Sequence, residues 1–236
     1  TPIALQPQPM TPLSITLPPI ARVTALLFAL LASILLAPVA SAQPLDPVHI
    51  RLVAQFDSVR AGDPLVVAVI LDHDKGYHTW PERSVKLPAA IAELLSDNDT
   101  YTKIEVVDKP DWLTAIDGVQ WPQTEIGAVA DPSGNPALLK LPLYHDRAVA
   151  YLRVRVAPAA APGPHTFNIS VSYQSCNDMT CTQPQTHENP VSVRVVAAQS
   201  TDTPKSNEAA LFTAYKPELV KPFGNDLPTP PPAPPT

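Results

Sequence analysis

The sequence predicts an all-β domain: an immunoglobulin-like antiparallel β-sandwich with one short helix and long irregular loops. Three observations predict it. Several segments alternate apolar and polar residues with period two, the mark of a half-buried strand. Turn residues separate these segments, and their spacing favours a sandwich over a barrel. Helical periodicity is confined to one short stretch.

Val48 to Phe56 (VHIRLVAQF) sets Val48, Ile50, Leu52, Ala54 and Phe56 on one face, with His49, Arg51 and Gln55 on the other. Arg60-Ala61-Gly62-Asp63-Pro64 then breaks the pattern, and Leu65 to Leu71 (LVVAVIL) resumes as a nearly unbroken apolar run. A hairpin leading into a central strand has this form, because a strand covered on both faces loses its alternation. Pro88 to Leu95 is the helix, since Ala89, Ala90, Ile91, Leu94 and Leu95 can share a face. Lys103 to Val107 reads as a short strand. Asp108 to Asn135 carries Pro110, Gly118, Pro122, Gly127, Pro132 and Gly134 and reads as a long irregular stretch. Arg147 to Val156, His165 to Gln174 and Val191 to Ala197 alternate again, the first two joined by a Pro- and Ala-rich turn at Pro158 to Pro164.

The ends of the chain read differently. Arg22 precedes Val23 to Val39 (VTALLFALLASILLAPV), an uncharged apolar run closed by Ala40-Ser41-Ala42. This is the charged, apolar and small-residue order of a secretory signal peptide, so residues 1–42 are expected to be removed after Ala42 and the rest exported from the cytoplasm. The chain opens with Thr, and a start at Met10 would give an ordinary signal length. The compact domain is expected at residues 46–198. Residues 199–236 are expected to form a Pro-rich tail or linker, in which Asn207 to Lys216 would be too short to hold a helix without a partner. Loss of Arg22, the one charge in residues 1–42, takes the formal net charge from -6 to -7. That balance argues against nucleic acid or an anionic lipid surface as a partner.

The chain has 2 cysteines, Cys176 and Cys181, in SCNDMTCTQP. Cys176 follows a strong strand, Asn177-Asp178 supply turn chemistry, and the two sulfurs can face each other across a tight loop. A structural staple is one reading, natural for an exported chain with an even cysteine count. Closing so short a loop, however, removes only about 2 kcal/mol of chain entropy, against nearly 5 for a loop of ~100 residues. Accessible pairs of low stability are the ones used for exchange, so redox chemistry is the second reading. Cu(I) capture by Cys176, Met179 and Cys181, all soft ligands, is the third.

Val171-Ser172-Tyr173-Gln174-Ser175-Cys176, with Cys181 and Pro184 behind it, resembles the redox hairpin of the N-terminal periplasmic domain of the DsbD thiol:disulfide interchange protein family. Ala61-Gly62-Asp63, Gly76-Tyr77-His78-Thr79-Trp80, Trp121-Pro122 and Leu143-Tyr144-His145-Asp146 fall in that family's order, over residues 46 to 197. The hairpin is the specific part. The resemblance implies an immunoglobulin-like domain that takes electrons from a membrane-embedded donor domain and hands them to periplasmic thioredoxin-like proteins, with no cofactor and no resident metal. It further implies that Cys181 forms the intermolecular disulfide and Cys176 resolves it. Tyr77, Tyr173 and Tyr144 become candidates to shield or tune the pair; as residues alone they read equally as core aromatics. Where the family has an aromatic cap loop, this chain has Asp131-Pro132-Ser133-Gly134-Asn135. Asp72-His73-Asp74-Lys75-Gly76-Tyr77-His78, charged residues around a Gly turn, reads as a solvated loop. In Tyr144-His145-Asp146-Arg147 a charged group could stand beside the cysteines.

Overall fold

The computed structural model describes residues 46–95, 100–129 and 138–222. The leader at 1–42 and Asp131–Asn135 lie outside them. Among the described residues twelve strands, one α-helix and two short 3-10 helices follow in chain order. Two four-stranded sheets face each other: β1 (Val48–Ala54), β3 (Pro64–His73), β9 (Arg147–Val156) and β6 (Leu113–Gln120) in the order β1-β3-β9-β6, and β2 (Ser58–Arg60), β12 (Gln185–Val196), β10 (Gly163–Tyr173) and β5 (Lys103–Val107) in the order β2-β12-β10-β5. Neighbours pair antiparallel except β2 and β12, which run parallel.

Period two builds the core between these sheets. Leu65, Val67, Val69 and Leu71 of β3 and Ala148, Ala150, Leu152, Val154 and Val156 of β9 point inward. Opposite them stand Phe167, Ile169, Val171 and Tyr173 of β10 and Val191, Val193 and Val195 of β12. Most of these side chains are fully buried, and each Val, Leu, Ile or Phe among them is worth roughly 1.5–3 kcal/mol of transfer free energy.

The apolar run in β3 has a definite cause. Its other face, Val66 and Ala68, forms a second small core with Tyr151 of β9 and Phe212. Phe212 belongs to residues 199–222, expected from composition to be linker, which strap across the outer face of the first sheet. The Tyr151 hydroxyl donates to the Leu211 carbonyl at 2.7 Å. The Gln120 side chain donates to the Ala214 carbonyl at 2.9 Å and accepts from the Lys216 N–H at 2.7 Å. The strap ends on a two-way backbone bridge between Val119 and Lys221, at 2.9 and 3.0 Å. Gly118 permits that approach: its φ is +131°, and a Cβ there would stand 2.0 Å from the Lys221 carbonyl oxygen.

A third sheet, in the order β11-β4-β8-β7, carries the cysteines. It comprises β4 (His78–Thr79), β7 (Glu125–Val129), β8 (Leu139–His145) and β11 (Ser175–Cys176). Helix α1 (Ala89–Leu94) packs Ile91 beneath it, with Leu95 just past its end, beside Trp80, Tyr101, Val129, Leu141, Leu143 and Cys176. The stretch from Asp108 to Asn135 is therefore not one long loop, because β6 and β7 lie within it.

Candidate functional site

Cys176 and Cys181 form a disulfide with Cα atoms 3.9 Å apart. The loop between them is organised by Asn177, whose side-chain oxygen accepts from the N–H groups of Met179 and Thr180 at 2.8 and 2.9 Å. Its own N–H donates to the Thr180 carbonyl at 2.9 Å. This is an Asx-type turn, the use expected of Asn at that place. Outside the disulfide, the Thr182 N–H donates to the Ser175 carbonyl at 2.8 Å, and the Gln174 side chain donates to the Thr182 carbonyl at 3.1 Å. Both flanks of the loop are thereby tied.

The two sulfurs are not equivalent. Cys176 belongs to β11 and is 2% exposed, packed with the apolar cluster under the third sheet. Cys181 is exposed, and Met179 at the tip of the loop is 90% exposed. A cleft of about 290 Å³ opens beside them, lined by the loop, His78, Trp80, Ile91, Leu95 and Val129. A larger, open depression of about 630 Å³ lies along β1, β12 and Ser206–Glu208 and contains neither cysteine.

His78 is the residue that the sequence reading misplaced. Read as part of a solvated loop, it is 6% exposed and sits on β4 directly opposite Cys176 in the antiparallel register. Its Nε2 and the Trp80 Nε1 are buried with no hydrogen-bond partner, and the two rings meet edge to face at 6.1 Å. His73, from the same motif, is tied down by bonds of its Nδ1 to the Asp146 carbonyl at 3.1 Å and of its Nε2 to the Thr79 hydroxyl at 3.0 Å. His145 stands opposite His78 on the far side of β4 and contacts Asp146 at 3.0 Å and Glu125 at 3.4 Å. Arg147 pairs with Asp72 at 2.6 Å.

The tyrosines occupy other places. The Tyr173 ring is fully buried in the main core and stacks on His187, and its hydroxyl donates to Asp46 at 2.6 Å. Tyr144 is likewise in the main core, its hydroxyl donating to the buried Glu82 carboxylate. Burial, then the neighbouring carboxylate, pushes both phenols up, so neither supplies a proton near neutrality. Tyr77 is half-buried in the turn before β4. None of the three lines the cleft; His78 and Trp80 do. Among the described residues no group of three or more His, Cys, Asp or Glu is gathered for a metal ion, and no helix is long and apolar enough to cross a membrane.

The surroundings of His78 give it a signature in stability. Burial lowers its pKa from 6.5 to about 4; Asp178 opposes this, while His73 and His145 add to it. Between those values the unfolded chain binds a proton that the folded one refuses. The stability contributed is therefore complete above about pH 6.5 and lost as pH falls through about 4. Discounted for solvent near the ring, the loss is of order 1–2 kcal/mol. Urea midpoints of the oxidised protein should drop on acidification, and the drop should shrink in His78→Gln. An unchanged pH profile in that variant would refute the assignment.

No family model matches this chain, and no curated protein matches it. Among solved structures, a chain titled "Ceramidase complexed with C2" aligns with 63% of this chain and 19% of its own length, at 14% identity and a TM-score of 0.27.

Proposed function

We propose that this is a periplasmic thiol:disulfide interchange domain, which passes two electrons from a membrane-embedded donor to thioredoxin-like proteins through Cys176 and Cys181. The observation that carries the reading is the one-sided exposure of the pair: Cys181 is open to an incoming protein and Cys176 is held in the apolar cluster behind it. Exchange proceeds through a mixed disulfide and needs one sulfur that a partner can reach and one that waits. The tied loop keeps the two in register. Its short span supports the same reading, since a sequence separation of 5 makes the bond worth only about 2 kcal/mol as a chain constraint. The signal-like leader and the hairpin's resemblance to the DsbD family supply the compartment and the partners.

A staple joining β11 to the loop is the competing reading, because Cys176 also fills space beside Trp80 and Leu143. Equilibration against dithiothreitol or glutathione buffers separates the two. Exchange predicts a reduction potential in the range of roughly -180 to -270 mV, whereas a staple belongs below about -300 mV. A value in the lower range would leave a stapled binding module and remove the interchange function.

A further inference from the structure

We propose that His78 is the proton acceptor for Cys176, the group that turns the buried member of the pair into a thiolate. Residues directly opposite in an antiparallel pair project from the same face with Cβ atoms about 4.5–5.5 Å apart, and His78 and Cys176 are such a pair. Both line the same cleft, and both are more than nine-tenths buried. The imidazole Nε2 has neither a protein partner nor contact with water while the disulfide is closed. A buried polar atom left in that state costs roughly 1–3 kcal/mol. Reduction supplies what is missing, because the Cys176 thiol brings an S–H to the face that the ring shares.

Among the described residues that line the cleft, His78 is the one base and Asp178 the one acid, with no Lys or Arg. A thiol buried in apolar surroundings ionises poorly unless a base or cation stands beside it. The other charges that bear on the ring are Asp178, which favours its cation, and His73 and His145, which disfavour it. His145 is in turn held by Asp146 and Glu125.

In turnover, which rests on the interchange reading above, the Cys181 thiolate attacks the partner's disulfide. A Cys181–partner S–S bond forms, and the partner's other sulfur leaves as thiolate. The Cys176 proton then passes to His78 Nε2, and the Cys176 thiolate attacks Cys181 Sγ. The intramolecular disulfide closes, the mixed disulfide breaks, and the second partner thiolate departs. Two electrons have moved from the domain dithiol to the partner, and the imidazolium and solvent return the protons to the partner's thiolates.

The test needs no partner. In reduced Cys181→Ala protein the ultraviolet absorbance of the remaining thiolate is titrated with His78 present and with His78→Gln, both variants first checked for native circular dichroism. The Cys176 pKa is expected to rise by at least about one unit, tenfold in acidity, when His78 is replaced; equal values overturn the proposal. Coupling is reciprocal, so the unmutated protein gives a second reading. On reduction of the disulfide the His78 Nε2 NMR resonance should move from the position of an unbonded nitrogen to that of one bonded to, or protonated by, the thiol, and an unmoved resonance also overturns it. A potential below the exchange range with the coupling intact would remove the interchange function alone. A potential inside that range with no coupling would remove His78 alone.

Discussion

Cys181→Ala is expected to reduce thiol–disulfide exchange to background, while Cys176→Ala yields a protein that reacts once and stays joined to its partner. Both variants lose the same disulfide, and with it the same loop constraint of about 2 kcal/mol, so a difference between them reports on chemistry. Cys181 is the exposed sulfur, and without it the remaining thiol lies in the cluster of Trp80, Ile91, Leu95 and Leu143 where no partner disulfide can reach it. Without Cys176 the attack by Cys181 still occurs, but nothing displaces the partner. The check is a non-reducing gel after incubation with an oxidised thioredoxin-like protein. A covalent adduct should accumulate with Cys176→Ala and be missing with Cys181→Ala. The reverse pattern would exchange the two roles, and an adduct with neither would leave the pair as a staple.

The sequence announces the site more clearly than its surroundings, for local reasons. β9, β10 and β5 are legible because each has one face on the main core and one toward solvent or a neighbour. β6 hides because register shifts between Leu113 and Ala115 and between Ile116 and Gly118 destroy its period. β8 contains Pro142, which argues against a strand by composition even though that position pairs with Ile126 on β7. The first half of β12, Gln185 to Pro190, alternates half-buried with exposed positions, but its half-buried residues are Gln185, His187 and Asn189, so no apolar period shows in the sequence.

His78 was obscured by the charges before it: a two-residue strand has no periodicity, and its burial is decided by β11 and β8 on its two sides, from far along the chain. The available signal was Trp80, an apolar residue of the same parity two positions on. The strap is a similar case. Its composition is that of a linker, but the unbroken apolar run in β3 already implied that something had to cover the face of Val66 and Ala68.

Tyr144→Phe is expected to lower stability by about 2–3 kcal/mol and to leave the reduction potential unmoved. The phenol hydroxyl donates to the Glu82 carboxylate, whose residue is 7% exposed, and the other Glu82 oxygen accepts from Ser84 at 3.1 Å. Removing the donor leaves a buried carboxylate oxygen without its main partner, and such an orphan costs more than the net worth of the bond that was lost. Replacing both partners with apolar groups should therefore be milder than the single changes imply. The double variant Tyr144→Phe/Glu82→Met is expected to fall at least about 1 kcal/mol short of the sum of the single losses, as coupling across a contact predicts. Urea denaturation at constant m gives these differences. If Tyr144 instead shielded the disulfide, the loss of its hydroxyl would shift the potential at little cost in stability. The position of its ring, in the main core and away from the cleft, favours the first outcome.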